Sequence, residues 1–142
     1  MIFRDINFFL KEKNISDIPI EINYSGFIEK DSIKLIEAEF FQQYLNNVPL
    51  DYILKNSNFY GYNFHVDENV LIPRPETELI VEEVLKEELN KKIILELGTG
   101  SGNISISIKK ENPGVIIYAT DISMGALMTA KKNAKFNEAD SI

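Results

Sequence analysis

The chain of 142 residues has no cysteine, no tryptophan and a single histidine, His65. Without cysteine it can form neither a disulfide framework nor a thiolate metal site. The lone histidine has no partners at metal-ligand spacing, so no metal site is predicted and a position facing solvent is expected for it. No apolar stretch has the length of a membrane span, and the N-terminus lacks a signal-peptide pattern. We therefore expect no membrane partner and a cytoplasmic location.

Positive charge is also scarce. Lys and Arg number 15 against 22 Asp and Glu, which gives a net charge of −7 at pH 7. Such a chain lacks the broad basic surface that neutralises phosphates, so direct nucleic-acid binding is not expected. With 44% hydrophobic and 26% charged residues it has an ordinary globular composition. Its length allows one modest domain, or a small domain and part of another.

The most informative stretch is IILELGTGSG, residues 93–102. An apolar run of strand length ends in an acidic residue and then breaks into a loop with glycine at every second position. Glycine tolerates positive φ and has no Cβ, so such a loop can approach a ligand closely. A helix starting near Asn103 would turn its unpaired N–H groups toward the same space. The pattern predicts a nucleotide site built from a strand, a loop and a helix.

The spacing of the glycines distinguishes between cofactors. A dinucleotide fingerprint reads G-x-G-x-x-G, whereas Asn103 stands here where its third glycine would fall. Asp121 ends the next apolar run and can accept both hydroxyls of a ribose. An acidic residue before the glycines and another after the second strand resembles the class I S-adenosylmethionine-dependent methyltransferases. An ordinary βαβ unit and an NAD-dependent dehydrogenase are the less favoured alternatives.

Helical patterning accounts for much of the remaining chain. Apolar residues recur at helical spacing over residues 2–13 and 31–46. Residues 103–111 alternate Ile and Ser like a strand, but a parallel strand pair needs a crossover and they are the segment available for it. Ser123 can cap a last helix over residues 124–136, with Ala126, Leu127, Ala130 and Ala134 buried.

Between these helices the sequence predicts a hairpin and a rigid helix start. Residues 59–66 alternate as a strand, residues 67–69 form a turn, and residues 70–72 form a short return strand. PRPETE follows at residues 73–78, where a proline favours the first turn of a helix that runs to about Leu89. Its inward side is predicted to be Leu79, Ile80, Val84 and Leu85. The two flanking prolines restrict the backbone around Arg74, which favours contact with a ligand or partner.

Several stretches together resemble a specific family. These are P-L-D-Y-I, F-Y-G-Y-N-F-H-V, V-L-I-P-R-P-E-T-E, E-L-G-T-G-S-G and D-I-S with A-L-x-x-A-x-x-N-A, which lie in that order between residues 49 and 134. They resemble the glutamine N5-methyltransferases that modify peptide-chain release factors, the PrmC/HemK family. Members usually have glycine where this chain has Asn47 and Lys55.

The resemblance implies an α+β chain of three parts. A helical N-terminal substrate-recognition unit would occupy residues 1–48, and a linker with a β-hairpin residues 49–72. Residues 73–142 would begin an S-adenosylmethionine-binding, Rossmann-like, doubly wound α/β domain of the class I methyltransferase type. Its truncated half would expose apolar surface, through which the chain is expected to self-associate.

The resemblance also implies the reaction and the residues of the site. Methyl would pass from S-adenosyl-L-methionine to the side-chain amide nitrogen of glutamine in the Gly-Gly-Gln loop of a release factor. The implied cofactor-binding residues are Glu96, Gly98, Thr99, Gly100, Ser101, Gly102 and Asp121. The wall between cofactor and substrate would be formed by Pro73, Arg74, Pro75, Glu76 and Thr77.

The family's acceptor-site motif, Asn-Pro-Pro-Tyr, does not occur in the 142 residues. No catalytic residue is therefore assigned, and the chain alone is expected to be inactive. A related methyltransferase acting on adenine or on another protein glutamine is the alternative within the enzymes. A partner-binding fragment without turnover is the alternative outside them.

Overall fold

The structure is a computed structural model that describes residue 40, residues 42–140 and residue 142. The chain divides into two compact units, Met1–Leu54 and Lys55–Ile142. The helix predicted over residues 2–13 and most of that over 31–46 lie outside the described residues. Of the second, residue 40 and residues 42–45 are helical. A short helix, α1, follows at Leu50–Leu54.

The two positions at which the resemblance predicts glycine have a left-handed backbone. Asn47 has φ 59° and Lys55 has φ 53°. Left-handed geometry is unfavourable for residues with a Cβ, although asparagine tolerates it better than most. Glycine would adopt the geometry of these two turns without strain.

The second unit begins with a β-hairpin. Strand β1, Ser57–Phe59, pairs antiparallel with β2, Tyr62–Phe64. Tyr60 and Gly61 form the two-residue turn, with φ values of 51° and 77°. Positive φ at both central positions is typical of hairpin turns, whose twist matches that of the strands.

The predicted hairpin, with its turn at residues 67–69, was wrong. The tight turn at Tyr60–Gly61 already reverses the chain inside the stretch that was taken for one strand. The alternation nevertheless has a structural basis, because Phe64 and Val66 are fully buried. Residues beyond β2 remain outside the two-stranded ladder, so alternate burial continues where strand pairing has ended.

A 3₁₀ turn at Pro75–Thr77 leads into helix α2, Glu78–Leu85. The helix ends four residues before the predicted Leu89, which is buried in the following loop. The predicted inward face was wrong at Leu79 and Ile80, which are 61% and 50% exposed, while Val81 is fully buried. The tighter winding of the 3₁₀ turn changes the direction in which the first residues of α2 point. Val84 and Leu85 pack against the core as predicted.

The rest of the unit is a parallel strand pair and two helices. Strand β3, Ile93–Leu97, pairs with β4, Ile116–Thr120, and Ile93 lies opposite Ile116. Helix α3, Asn103–Glu111, is the crossover between them, as predicted. Helix α4, Met124–Phe136, begins at Ser123, whose Oγ accepts a hydrogen bond from the Ala126 N–H.

The core lies on one side of the strand pair. Phe59 and Phe64 meet edge to face with ring centroids 6.1 Å apart, and they belong to the cluster that includes Val81, Ile106 and Ile117. Ala126, Ala130 and Ala134 on α4 are buried as predicted, whereas Leu127 is half-buried. The opposite side of the strand pair exposes large apolar side chains, namely Ile93, Leu95, Leu97, Ile116 and Tyr118. Parallel strands normally have both faces covered by other elements. In the described residues this pair has only one face covered.

Within the described part of the chain, no helix is long and apolar enough to cross a membrane.

Candidate functional site

The glycine-rich loop between β3 and α3 is fastened to the end of β4. The main-chain N–H groups of Gly98 and Thr99 both donate to the carbonyl of Thr120, at 2.8 and 2.9 Å. The Gly102 N–H donates to the Thr99 carbonyl at 2.8 Å and closes a turn. The Thr120 hydroxyl donates in return to the Glu96 carbonyl at 3.0 Å. The loop is therefore held where the carboxyl ends of the two parallel strands meet.

The three glycines of the loop serve two purposes. All have positive φ, at 78°, 56° and 81° for Gly98, Gly100 and Gly102. A Cβ added to Gly98 or Gly100 would meet nothing within 4 Å. At Gly102 it would lie 2.9 Å from Ile106 Cδ1 and 3.2 Å from Ala130 Cβ. The first two glycines thus border open space, and the third allows the loop to pack against α3 and α4.

Glu96, at the end of β3, is oriented by two hydroxyl groups. Its Oε2 accepts a hydrogen bond from Thr99 Oγ1 at 2.8 Å and another from Ser105 Oγ. Both contacts use the same carboxylate oxygen. Within the described residues, Oε1 accepts no hydrogen bond. Two donors on one oxygen fix the carboxylate plane, because both hydroxyls belong to buried residues.

Asp121 joins the loop to the segment after β4. Its Oδ1 accepts from the Ser123 N–H and its Oδ2 from the Gly100 N–H, each at 2.9 Å. These backbone hydrogen bonds, first from Ser123 and then from Gly100, hold the pKa of Asp121 below its usual value, against a smaller opposing effect of burial. Each carboxylate oxygen has further lone pairs. The ionised side chain can therefore accept hydrogen bonds from a pair of ligand hydroxyls while it holds the loop.

Two of the predicted cofactor-binding residues point their side chains inward. Thr99 and Ser101 are buried, and the Ser101 hydroxyl donates to Asn103 Oδ1 at 3.1 Å. Their side chains therefore shape the loop. What the loop presents outward is the backbone at Gly98 and Gly100, flanked by the carboxylates of Glu96 and Asp121.

The segment predicted as a substrate wall has a mixed exposure. Pro73 is buried and Thr77 half-buried, whereas Arg74, Pro75 and Glu76 are exposed. Arg74 is extended, with φ −101° and ψ 139°, and immediately precedes the 3₁₀ turn. Among the described residues, no hydrogen bond links residues 73–77 to residues 98–102. The structure thus leaves the Arg74 guanidinium in solvent at the start of a helix.

Two residues that organise this region were missed at the level of sequence. Glu78, the last residue of PRPETE, accepts a hydrogen bond from the Tyr60 N–H at 2.7 Å and so anchors the hairpin turn. Asn133 on α4 is fully buried and hydrogen-bonds to both His65 and Ser101. The A-x-x-N-A pattern places Asn133 in a helix, but no local signal identifies such distant partners.

His65 was expected to face solvent, and this was only partly right. Its side chain is 22% exposed, with Nε2 3.5 Å from Asp67 Oδ2. The pairing reflects the extended course of residues 65–67, because alternate residues of an extended segment point to the same side. Among residues 42–140, no group of three or more His, Asp or Glu is placed to hold a metal ion.

Comparisons with known proteins show which proteins this chain resembles in sequence. Residues 75–142 match the model of the methyltransferase small domain. The release factor glutamine methyltransferase of Flavobacterium psychrophilum is 44% identical over 128 residues, with 85% of this chain and 45% of that protein covered. The protein of the same name from Streptococcus pneumoniae is 39% identical over 127 residues, with 89% and 45% covered. That from Neisseria gonorrhoeae is 45% identical over 104 residues, with 73% and 38% covered.

The chain is related to the release factor glutamine methyltransferase family. It spans less than half the length of the curated relatives that it matches. The mixed helix and strand architecture described above agrees with a methyltransferase small domain. The fastened glycine loop, Glu96 and Asp121 form the candidate site, at the carboxyl ends of two parallel strands, where open α/β sheets bind their ligands.

Proposed function

We propose that the glycine loop binds S-adenosyl-L-methionine, and that the protein methylates the side-chain amide nitrogen of glutamine in the Gly-Gly-Gln loop of a peptide-chain release factor. The observation that carries the cofactor proposal is the hydrogen bond from Gly100 to Asp121 beside open space at Gly98 and Gly100. The names of the relatives support the choice of substrate. In this proposal residues 73–142 begin a Rossmann-like class I methyltransferase domain.

The residues present suit this cofactor. A ligand can approach the backbone at Gly98 and Gly100, where any side chain would occupy the open volume. We assign the methionine part to this loop and to the first turn of α3, and the ribose hydroxyls to Asp121. Glu96 Oε1 can accept a hydrogen bond from a donor at the edge of the cofactor. Thr99, Ser101 and Gly102 contribute by holding the loop, with ligand contacts through backbone groups.

When bound, S-adenosyl-L-methionine supplies an electrophilic methyl group on a sulfonium. The amide nitrogen of glutamine is a poor nucleophile, because its lone pair is delocalised into the carbonyl. The protein must therefore position the amide in line and accept hydrogen bonds from its N–H groups. The share of this chain is to bind and orient the cofactor, with Pro73, Arg74, Pro75, Glu76 and Thr77 proposed as the wall at which the two substrates meet.

The 142 residues contain no Asn-Pro-Pro-Tyr motif, which supplies the acceptor site in the family, so we propose that they do not turn over alone. In the proposed organisation residues 1–48 recognise the release factor, residues 49–72 link, and residues 73–142 hold the cofactor. The release factor is thus the partner proposed for the whole protein.

The cofactor proposal is tested by calorimetry. S-adenosylhomocysteine, the reaction product, should bind the chain, weakly, while NAD should give no heat of binding. NAD binding at the same site with no response to S-adenosylhomocysteine would overturn the proposal. Loss of binding in the variant Asp121→Asn would assign the heat to the loop.

The reaction is tested separately by methyl transfer from labelled S-adenosyl-L-methionine. A longer protein that includes the acceptor motif should label a release factor, and should not label one with Gln→Ala in the Gly-Gly-Gln loop. The 142-residue chain should label neither. Labelling of DNA adenine by the longer protein, with affinity that falls as salt rises, would favour the nucleic-acid alternative instead.

A further inference from the structure

Residues 63–69, which begin in strand β2, run along α4 with a matching repeat. Alternate residues of an extended chain are about 6.6 Å apart, and residues four apart in a helix rise about 6.0 Å. Every second residue from 63 to 69 can therefore meet every fourth residue of α4, in the opposite chain direction. The meeting pairs are Asn63 with Asn137, His65 with Asn133, Asp67 with Thr129, and Asn69 with Gly125.

We call the four residues of this contact on the helix side the α4 stripe; Gly125, Thr129 and Asn133 belong to α4, and Asn137 directly follows it. Asn137 Nδ2 donates to the Asn63 carbonyl at 3.0 Å, and Thr129 Oγ1 lies 3.5 Å from Asp67 Oδ2. At the far end a Cβ on Gly125 would lie 2.5 Å from Asn69 Oδ1, so glycine lets the two elements come together. The stripe holds residues 63–69 of the linker against the helix.

Asn133 differs from the other members of the α4 stripe because its contacts extend beyond the linker. Its Oδ1 accepts from the His65 N–H at 2.7 Å, and its Nδ2 donates to the His65 carbonyl at 2.9 Å. The amide thus pairs with both backbone groups of His65, as a residue of a neighbouring strand would. The same Nδ2 also donates to the Ser101 carbonyl at 2.9 Å. One fully buried side chain therefore connects the linker, α4 and the glycine loop.

We infer that Asn133 is a positioning residue, which fixes the glycine loop relative to the linker that leads into residues 73–77. This inference rests on the proposed function for its consequence in cofactor binding. The Ser101 carbonyl lies between two glycines with positive φ. The Gly100 N–H is bound by Asp121, and the carbonyl of the next residue, Ser101, is bound by Asn133. A loop held at both points is ordered before the ligand arrives, which lowers the entropy lost on binding.

Asn137 provides a matched control. It is a buried asparagine that directly follows α4, four residues after Asn133, and its Nδ2 also makes two hydrogen bonds, to the carbonyls of Asn63 and Asn133. Neither bond reaches the glycine loop. Substitution of either asparagine removes buried amide contacts, so variants of both residues should unfold at lower urea concentrations than the unaltered chain.

The test compares Asn133→Asp and Asn133→Ser with Asn137→Asp and Asn137→Ser in the full chain. Hydrogen exchange of the amides of residues 98–102 is measured alongside urea unfolding and the Kd for S-adenosylhomocysteine. The Asn133 variants should exchange their loop amides about tenfold faster than Asn137 variants of equal stability, and should bind the product about tenfold more weakly. Equal loop exchange in the two series would overturn the inference.

The outcomes separate this inference from the proposed function. If the unaltered chain binds no S-adenosylhomocysteine, the cofactor proposal fails, while loop exchange still decides the role of Asn133. If the chain binds and the Asn133 variants keep a protected loop, only the inference fails. Should neither Asn133 variant fold, exchange of the Asn133 side-chain amide is followed in the unaltered chain. If the Asn133 side-chain amide and the loop amides lose their protection from exchange together, the inference is supported. If the side-chain amide loses protection while the loop amides keep theirs, the inference is contradicted.

Discussion

The main-chain N–H of Gly100 donates to Oδ2 of Asp121 at 2.9 Å. The contact joins the centre of the glycine loop to the residue that follows β4, across 21 positions of the sequence. The other oxygen of the same carboxylate, Oδ1, accepts a hydrogen bond from the Ser123 N–H. The glycine loop and Asp121, which were identified separately from the sequence, are therefore joined by a hydrogen bond. Asp121 shapes the site and still has lone pairs that can accept hydrogen bonds.

Replacement of Asp121 by asparagine should weaken the binding of S-adenosylhomocysteine by about tenfold or more, because charge-assisted hydrogen bonds are lost to the loop and to the ligand. Calorimetry measures the change. Asp140→Asn removes an equal charge at an exposed position of the same unit and should leave the affinity unchanged. An equal loss in both variants would mean that net charge alone is responsible.

The lowered pKa of Asp121 predicts how the loop responds to acid. A carboxylate whose pKa is lower in the folded state stabilises the fold at pH values above its pKa in the unfolded chain, which is near 3.8. That contribution to stability is lost as the pH falls through the pKa of the folded state. Affinity for S-adenosylhomocysteine attributable to Asp121 should thus be constant from about pH 7 to pH 5 and decline below about pH 4. Subtraction of the Asp121→Asn profile removes the titration of other carboxylates. A difference that already falls between pH 7 and pH 5 would contradict the assignment.

The glycines of the loop should respond differently to alanine. Gly102→Ala forces a Cβ against Ile106 and Ala130 at positive φ, so the free energy of unfolding should fall by about 2 to 5 kcal/mol in urea titrations. Gly98→Ala and Gly100→Ala meet only the strain of the backbone, about 1 to 2 kcal/mol each. Their added methyl groups would instead occupy the proposed ligand space and abolish product binding. Unfolding losses of one size at all three positions would refute this division.

Glu78 should contribute to stability through the hairpin. Glu78→Ala leaves the Tyr60 N–H without its acceptor and should lower the free energy of unfolding by about 1 kcal/mol relative to the control Glu82→Ala. Glu82 is an exposed residue in the interior of the same helix, so it measures the general effect of Glu→Ala in α2; Glu78→Ala additionally loses a favourable charge in the first turn. Urea titrations give the comparison. Identical midpoints and slopes for the two variants would show that the contact is energetically unimportant.

The exposed apolar face of β3 and β4 predicts association between copies of the chain. Leu95 and Tyr118, at 61% and 59% exposure, lie side by side in the parallel register. Sedimentation equilibrium should show an average mass that rises with concentration, and rises further with salt as the repulsion between net charges of −7 is screened. Leu95→Lys should reverse the rise. Glu88→Gln makes the same charge change at an exposed position and should have little effect, while a monomer at every concentration would disprove association.

Local patterns predicted those elements whose conformation is decided locally. The helices Asn103–Glu111 and Met124–Phe136 and the parallel strands followed from apolar runs, a serine cap and the need for a crossover. The hairpin turn was misplaced because its geometry depends partly on Glu78, 18 positions away from Tyr60. The orientation of Asn133 depends on Ser101 and His65, at separations of 32 and 68 positions. No periodicity within a single element contains that information.

The matching repeat between the linker and α4 also restricts where the length of the chain can change. Inserting one residue between 63 and 69 would turn the following side chains to the opposite face. Inserting one between 125 and 137 would rotate the rest of the helix by about 100°. Either change would put the contact pairs before and after the insertion out of register with each other. Insertions and deletions should therefore be confined to the surface turns of this unit, and the intervals 63–69 and 125–137 should have a constant number of residues.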